Sequence, residues 1–229
     1  MSDDIATFFF NFNQKQQMKL YWIKTNSFIK KIFSKYTWDI PNSANKVYLT
    51  FDDGPTPEVT EWVLDELKKR SAKATFFCIG KNIEENPALF KRILIEGHAI
   101  GNHTMNHLNG WSTSTEKYIE NTMLCNESIY NHTNQKTLLF RPPYGKIKNN
   151  QARLLLAQGY KIIMWDVLSA DFDQTISKEK CLDNVIKNTR SGSIIVFHDS
   201  IKASKNLKHT LPKVLDYIEK HQLYCDVLE

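Results

Sequence analysis

The sequence predicts an α/β domain built on a parallel sheet of about seven strands wound in the manner of a barrel. Three observations carry that expectation. Short apolar runs rich in β-branched and aromatic residues recur along the chain. Amphipathic helical patterns alternate with them, which implies βαβ units. Ionisable residues also stand directly after several of the runs, where an α/β barrel gathers its functional groups.

The strand-like runs cover residues 47–51, 75–79, 98–101, 138–140, 162–165, 194–197 and 223–228. They are short and apolar throughout, as strands covered on both faces must be. The first helix is expected to be capped by Thr56 with Pro57 at its first position; Val59, Trp62, Val63 and Leu67 form its apolar stripe. Asn86 and Pro87 repeat the device ahead of Phe90, Ile93 and Leu94, and Gly97 ends that helix. Further helices are expected over 115–130, up to Gly159, after Ser177 and after Thr210. Seven runs fall short of eight and the last is the weakest, so closure is expected to be incomplete. No repeat, linker or low-complexity segment divides residues 40–229. The expected organisation is an N-terminal extension over 1–44 and one domain over 45–229.

Composition narrows the class. The chain has 229 residues, 41% of them hydrophobic, enough for a full core. Its formal charge of +5 is spread out, without the basic stripe or reading motif of a nucleic-acid binder. Cys78, Cys125, Cys181 and Cys225 lie far apart, so no zinc ribbon or CxxC pair exists. No secretory signal is legible: Phe8, Phe9 and Phe10 are too short a run, preceded by Asp3 and Asp4. No window reaches the length of a membrane span. The cytoplasm or a membrane surface is therefore the default compartment. Residues before Met18 are polar and patternless, so Met18 is a candidate start. Beyond it, Leu20, Ile23, Phe28, Ile29, Ile32, Phe33 and Tyr36 form a helical stripe flanked by Lys24, Lys30, Lys31 and Lys35. Such a helix can touch an anionic membrane surface peripherally or pack on the domain as a lid; the lid is favoured.

The chemistry clusters by position. Asp52 and Asp53 follow the first run, His103 and His107 the third, and Arg141 the fourth. Asp166 and Asp171 follow the fifth, and His198 and Asp199 the sixth. His103 and His107 stand at i and i+4, which on a helical turn points both imidazoles one way. Two nitrogens and a carboxylate from Asp52 or Asp53 make an open ligand set for catalytic zinc. Adjacent side chains diverge, so one aspartate can bind metal while its neighbour stays free as a base. Zinc would acidify its water and polarise a carbonyl. His198 could then protonate a leaving amine.

These residues also form ordered motifs. Thr50-Phe51-Asp52-Asp53-Gly54-Pro55, His103-Thr104-Met105-Asn106-His107, Arg141-Pro142-Pro143-Tyr144-Gly145 and Ile195-Val196-Phe197-His198-Asp199 span the chain from about 45 to 225. Together they resemble the polysaccharide deacetylases, the NodB-homology or carbohydrate esterase family 4 domains. The resemblance implies a distorted (β/α) barrel of about seven parallel strands. It implies a metal-dependent hydrolase that removes N-acetyl or O-acetyl groups from an amino-sugar-containing glycan such as peptidoglycan or a chitin-like oligosaccharide. Asp52 would be the base that activates the metal-bound water, with Arg141 orienting it. Asp53, His103 and His107 would hold a divalent metal, zinc or in its place cobalt. Tyr144 would offer its backbone N–H to the oxyanion, Val196 would line the acetyl pocket, and His198 would be the general acid.

One motif departs. Trp165-Asp166-Val167-Leu168-Ser169-Ala170-Asp171-Phe172 resembles a family run in which a carboxylate partners the acidic histidine. Leu168 stands at the position assigned to that carboxylate. Asp166, Asp171 or Asp173 is left to supply the charge, and Phe172 takes a tryptophan's place in the pocket wall. Two other readings are open: a related amidase acting on a small non-sugar amide, and a non-catalytic carbohydrate-binding barrel.

Overall fold

The computed structural model describes residues 21–229. Its strands are β1 (Lys46–Asp52), β2 (Thr75–Cys78), β3 (Ala99–Asn102), β4 (Leu139–Phe140), β5 (Lys161–Ile162), β6 (Val167–Leu168), β7 (Ile194–His198) and β8 (Tyr224–Cys225). They form one sheet in the order β5-β4-β3-β2-β1-β7-β6, with β8 added beside the start of β1, and every pairing is parallel. The seven main strands curl into a half-barrel. The helices are α1 (Ser27–Ile32), α2 (Val59–Lys69), α3 (Gly80–Glu85), α4 (Pro87–Ile95), α5 (Thr115–Thr133), α6 (Asn149–Ala157), α7 (Lys178–Ile186) and α8 (Ser204–Lys220).

Strand periodicity places the site. On β1, Val47, Leu49 and Phe51 face outward into the core beneath the helices, joined from β7 by Ile195 and Phe197. Alternation then sends Tyr48, Thr50 and Asp52 to the inner face, opposite Ile194, Val196 and His198. At the bottom of the half-barrel, Tyr48 and Ile194 pack with Phe77, Leu139, Ile163 and Leu228. Asp52 and His198 form the top layer, at the carboxyl ends of adjacent strands. The layers rise from apolar to ionisable because every strand is parallel and ends at the same rim.

Several expectations need correction. β6 is additional to the seven expected runs; a two-residue strand carries no usable period. Its presence moves Asp166 off the rim, since Asp166 precedes β6 and bonds at its lower end. The helix expected to start at Pro57 begins at Val59, because Glu58 takes a left-handed backbone (φ 63°) that breaks the first turn. α8 begins at Ser204 rather than after Thr210 and runs through Pro212, since Leu207 and Leu211 extend its buried stripe across the proline. The fifth strand covers Lys161–Ile162, shorter than its apolar run.

The segment before β1 is only briefly helical, over Ser27–Ile32; Leu20 lies outside the described residues. Ile29 and Tyr36 pack against the core around Trp38, Tyr118 and Phe140. Lys24 and Lys30 turn inward and pair with the buried Asp166 carboxylate at 2.5 Å each. Burial works against that carboxylate's charge, but the two lysines and Ser193 hold it below the usual range. Two of the four lysines of this segment are thus used inside the protein, while Lys31 and Lys35 stay exposed beside Phe28, Ile32 and Phe33. Among the described residues, no helix is long and apolar enough to cross a membrane.

Candidate metal centre and catalytic cleft

Asp52 ends β1 and the chain turns at once, with Asp53 in a left-handed conformation (φ 83°). Gly54 makes this turn possible: a Cβ there would lie 1.9 Å from Asp199 Oδ2. The Asp199 carboxylate accepts from Gly54 N at 3.0 Å and from Thr60 Oγ1 at 2.5 Å. Asp199, read as a rim residue, is therefore a wholly buried brace under the turn, and burial pushes its carboxyl up to about 7.

His103 and His107 do meet, but not on a helical turn. Residues 103–107 form a loop after β3 in which Thr104 (φ 64°) and His107 (φ 53°) are left-handed. Hydrogen bonds hold it: Thr104 N donates to Asn102 Oδ1 at 2.8 Å, Met105 N to Asn121 O and Asn106 N to Asn121 Oδ1, both at 3.0 Å. Asn102 and Asn121 have no reactive group and no motif spacing that would have marked them.

Asp53, His103 and His107 converge, their ligand atoms all within 4.8 Å of one another. His107 Nε2 lies 3.2 Å and His103 Nε2 3.7 Å from Asp53 Oδ1. That oxygen is nonetheless buried without a well-formed hydrogen bond, an orphan expected where a cation completes the site. His103 Nδ1 donates to Arg141 O at 2.7 Å, which leaves Nε2 as the lone-pair nitrogen facing Asp53. Burial lowers His103 to about 4, so it is neutral near pH 7. Burial opposes charge on Asp53 too, but contact with His107 and the fields of His198 and His103 hold it well below the carboxylate range. A neutral His103 imidazole, the His107 ring beside it and an ionised Asp53 carboxylate suit a divalent cation.

Arg141 follows β4 and is wholly buried. It donates to Asp52 Oδ1 at 2.6 Å, to Thr50 Oγ1 at 2.7 Å, and to the carbonyls of Ile163 and Met164 at 3.2 and 3.0 Å. Its guanidinium lies 4.1 Å from the Phe77 ring centroid. Burial lowers its pKa, with Asp52 opposing. Five anchors leave it no freedom, so the Asp52 oxygen it holds is fixed as well.

On the far side, His198 Nδ1 meets Asp171 Oδ1 at 2.8 Å and His198 N donates to Asp171 Oδ2 at 2.8 Å. Burial alone would lower the imidazole, but the Asp171 carboxylate outweighs it and raises His198 to about 9. The charge expected from the position of Leu168 therefore comes from Asp171. Leu168 instead pairs with Val196 across β6 and β7, and both line the cleft as an apolar floor. Asp166 is remote from this contact, bound to Lys24 and Lys30. Asp173 accepts from Tyr21 Oη.

Asp52, Asp53, His103, His107 and His198 open into one cleft of about 370 Å³. Tyr144 (φ 60°) stands at its mouth with its ring 4.6 Å from that of His107, and Phe172 stacks edge-on to His198 at 4.9 Å. Trp165, Tyr21, Ser200 and Lys202 also line it and were not singled out from sequence. Gly145 (φ 66°) could have pointed to Trp165, since a Cβ there would meet the indole at 2.6 Å.

Comparison with known proteins gives a consistent picture. The family model described as Polysaccharide deacetylase matches residues 39–163. A peptidoglycan-N-acetylglucosamine deacetylase of Bacillus cereus is 38% identical over 185 residues, covering 80% of this chain and 86% of that protein. Chitin deacetylase 2 of Saccharomyces cerevisiae is 35% identical over 192 residues, covering 80% of this chain but 59% of that protein. Among solved structures, a peptidoglycan N-acetylglucosamine deacetylase in complex with 4-naphthalen-1-yl-N-oxidanyl-benzamide superposes with a TM-score of 0.80 at 33% identity, covering 85% of this chain and 91% of that one.

Proposed function

This chain belongs to the polysaccharide deacetylase family, and on that premise we propose that it is a metal-dependent hydrolase that removes acetyl groups from the N-acetylated amino sugars of a glycan. The observation that carries the reading is the convergence of Asp53, His103 and His107 in one cleft with Asp52 and His198. The similar proteins are named for peptidoglycan N-acetylglucosamine and for chitin, and an acetylated amino sugar is common to both.

Asp53, His103 and His107 would hold a divalent cation, zinc or cobalt, which supplies Lewis acidity to the amide carbonyl and to the attacking water. Asp52 takes a proton from that water as its oxygen bonds to the carbonyl carbon. Arg141 secures one oxygen of Asp52 and leaves the other for the proton. Negative charge gathers on the former carbonyl oxygen, toward which the Tyr144 backbone N–H is directed in this reading. Val196 and Leu168 receive the acetyl methyl group. When the carbon–nitrogen bond breaks, His198 gives the amine its proton; Asp171 keeps the imidazole charged and oriented until then. The products are acetate and a glycan amine.

The test is acetate release from chitin oligomers, peptidoglycan fragments, acetylated xylan and small cyclic amides, with zinc or cobalt supplied. Release from the amino-sugar substrates alone is the expected result. Turnover confined to the small amides would overturn the glycan assignment in favour of an amidase. Oligomer binding without turnover would make this a carbohydrate-binding barrel.

A further inference from the structure

The half-barrel has an open seam between β5 and β6, which follow one another in sequence yet do not pair. The segment ahead of β1 fills it. Thr37 pairs with Ile163 beyond the end of β5: Thr37 N donates to Ile162 O at 2.9 Å, and Met164 N to Thr37 O at 2.7 Å. At the other lip, Lys24 pairs antiparallel with Val167 of β6. Leu168 N donates to Ile23 O at 2.8 Å, Thr25 N to Asp166 O at 3.0 Å, and Thr25 Oγ1 to Trp165 O at 2.7 Å. Lys24 Nζ reaches both Asp166 and Asn188 O, so side chains and backbone fix the same few residues. An edge strand that would lie bare is thereby covered.

The direction of this strap matters for the cleft. Because it runs antiparallel to β6, the chain rises toward the catalytic rim as it is followed back from Lys24. Tyr21 consequently arrives beside the cleft and lines it. Its ring meets Phe172 edge-on at 5.6 Å, and its hydroxyl bonds Asp173. Phe172 in turn lies against His198. Residues 21–38 lie outside the part of the chain that the family model matches, as do residues 164–229 on the other side of the cleft.

We propose that the strap over residues 21–25 is part of the active site, and that Tyr21 is a specificity-determining residue that, with Phe172, receives the sugar next to the one being deacetylated. The inference rests on the glycan reading given above. An amphipathic ring with its hydroxyl held by a carboxylate offers a fixed apolar face, which suits the apolar face of a pyranose. Its distance from the reacting carbonyl is set by Phe172, which stands between Tyr21 and His198. On this placement a single N-acetylglucosamine held for reaction would stop short of Tyr21, and a longer oligomer would meet it.

The experiment compares wild type with Tyr21→Ala, Tyr21→Phe and Tyr21→Trp on N-acetylglucosamine oligomers of one to five units. Tyr21→Ala is expected to raise KM for the pentamer about tenfold, leaving kcat and monomer turnover within about twofold. Tyr21→Phe and Tyr21→Trp, which keep an aromatic face, should recover most of that loss. A loss equal at every length, or none at all, would overturn the proposal. If wild type deacetylates no oligomer, the functional reading fails, and calorimetric binding of the pentamer decides the strap separately. Weaker binding by Tyr21→Ala would support it; equal binding, or none by either protein, would overturn it. The melting temperature of Tyr21→Ala should stay near that of wild type. A large drop, with KM recovering in Tyr21→Phe and Tyr21→Trp only as far as the melting temperature does, would make Tyr21 a structural residue instead.

Discussion

Asp171 grips His198 at both its backbone N–H and its ring, so it sets the position and the charge of the imidazole together. A general acid must be protonated at the moment of bond cleavage, and a folded-state pKa raised to about 9 keeps it so through neutral pH. Replacing Asp171 with Asn removes the charge that does most to raise the imidazole against burial. The basic limb of the pH–rate profile should then move to lower pH, and turnover near pH 7 should fall by about 10²-fold or more. An unchanged limb would remove His198 from the role of acid. The same raised pKa has a stability consequence. A group whose pKa is higher folded than unfolded stabilises the fold below its unfolded value near 6.5, and that contribution fades as pH rises through about 9. Denaturant titrations of Asp171→Asn should therefore show less loss of stability between pH 6.5 and 9 than wild type does. At the opposite wall, Arg141→Leu strands Asp52 in a buried site without its partner. Loss of about 3–5 kcal/mol in urea unfolding is expected, together with loss of activity. The two aspartates should separate cleanly: Asp52→Asn should abolish turnover yet bind metal, whereas Asp53→Asn or His103→Ala should lose both. Equal metal loss in Asp52→Asn would mean the pair is misassigned.

At the scale of elements, the histidines depend on a loop that holds its shape through its neighbours. Thr104 and His107 adopt left-handed backbones that non-glycine residues rarely take, and Asn121 on α5 accepts from the loop's Asn106 N–H. Asn121→Ala should leave the fold intact and lower metal affinity about tenfold or more, with activity recovered at saturating metal. Equal affinity in the variant would show that the loop holds itself. The spacing of His103 and His107 was legible in the sequence, but its conformation was not. An i, i+4 pair suggests a helix, whereas a loop brings the two rings together here through the Asn102 side chain and non-local bonds to Asn121 and Arg141. β6 was lost for a similar reason. Two residues show no alternation, and without that strand the sequence places Asp166 and Asp171 on one rim. The structure separates them to opposite ends of β6, one bound to Lys24 and Lys30, the other to His198. The helix starts at Val59 and Ser204 escaped because backbone breaks at Glu58 and a tolerated Pro212 obey tertiary packing rather than local signals.

Over the whole molecule, parallel topology made the site legible. Parallel strands deliver the residues after their carboxyl ends to one rim, so ionisable residues after five separate apolar runs already pointed to one cleft. Asp52, Asp53, His103, His107 and His198 stand out in this way and line one cleft, with Arg141 buried against Asp52. What the sequence withheld depends on long-range closure: the strap across the seam, Tyr21 in the cleft, and the apolar floor of Leu168 beside Val196. None of these has a local period, because each is defined by a partner more than twenty residues away. The fold thus presents a half-barrel whose rim gathers Asp53, His103 and His107, proposed to hold a metal, with Asp52 as the proposed base and His198, paired with Asp171, as the proposed acid. The most direct measurement of that account is acetate release from an N-acetylglucosamine oligomer before chelation, after chelation, and after return of zinc or cobalt. Release should stop when the metal is removed and resume when either ion is restored. Undiminished release by protein shown metal-free by elemental analysis would contradict it.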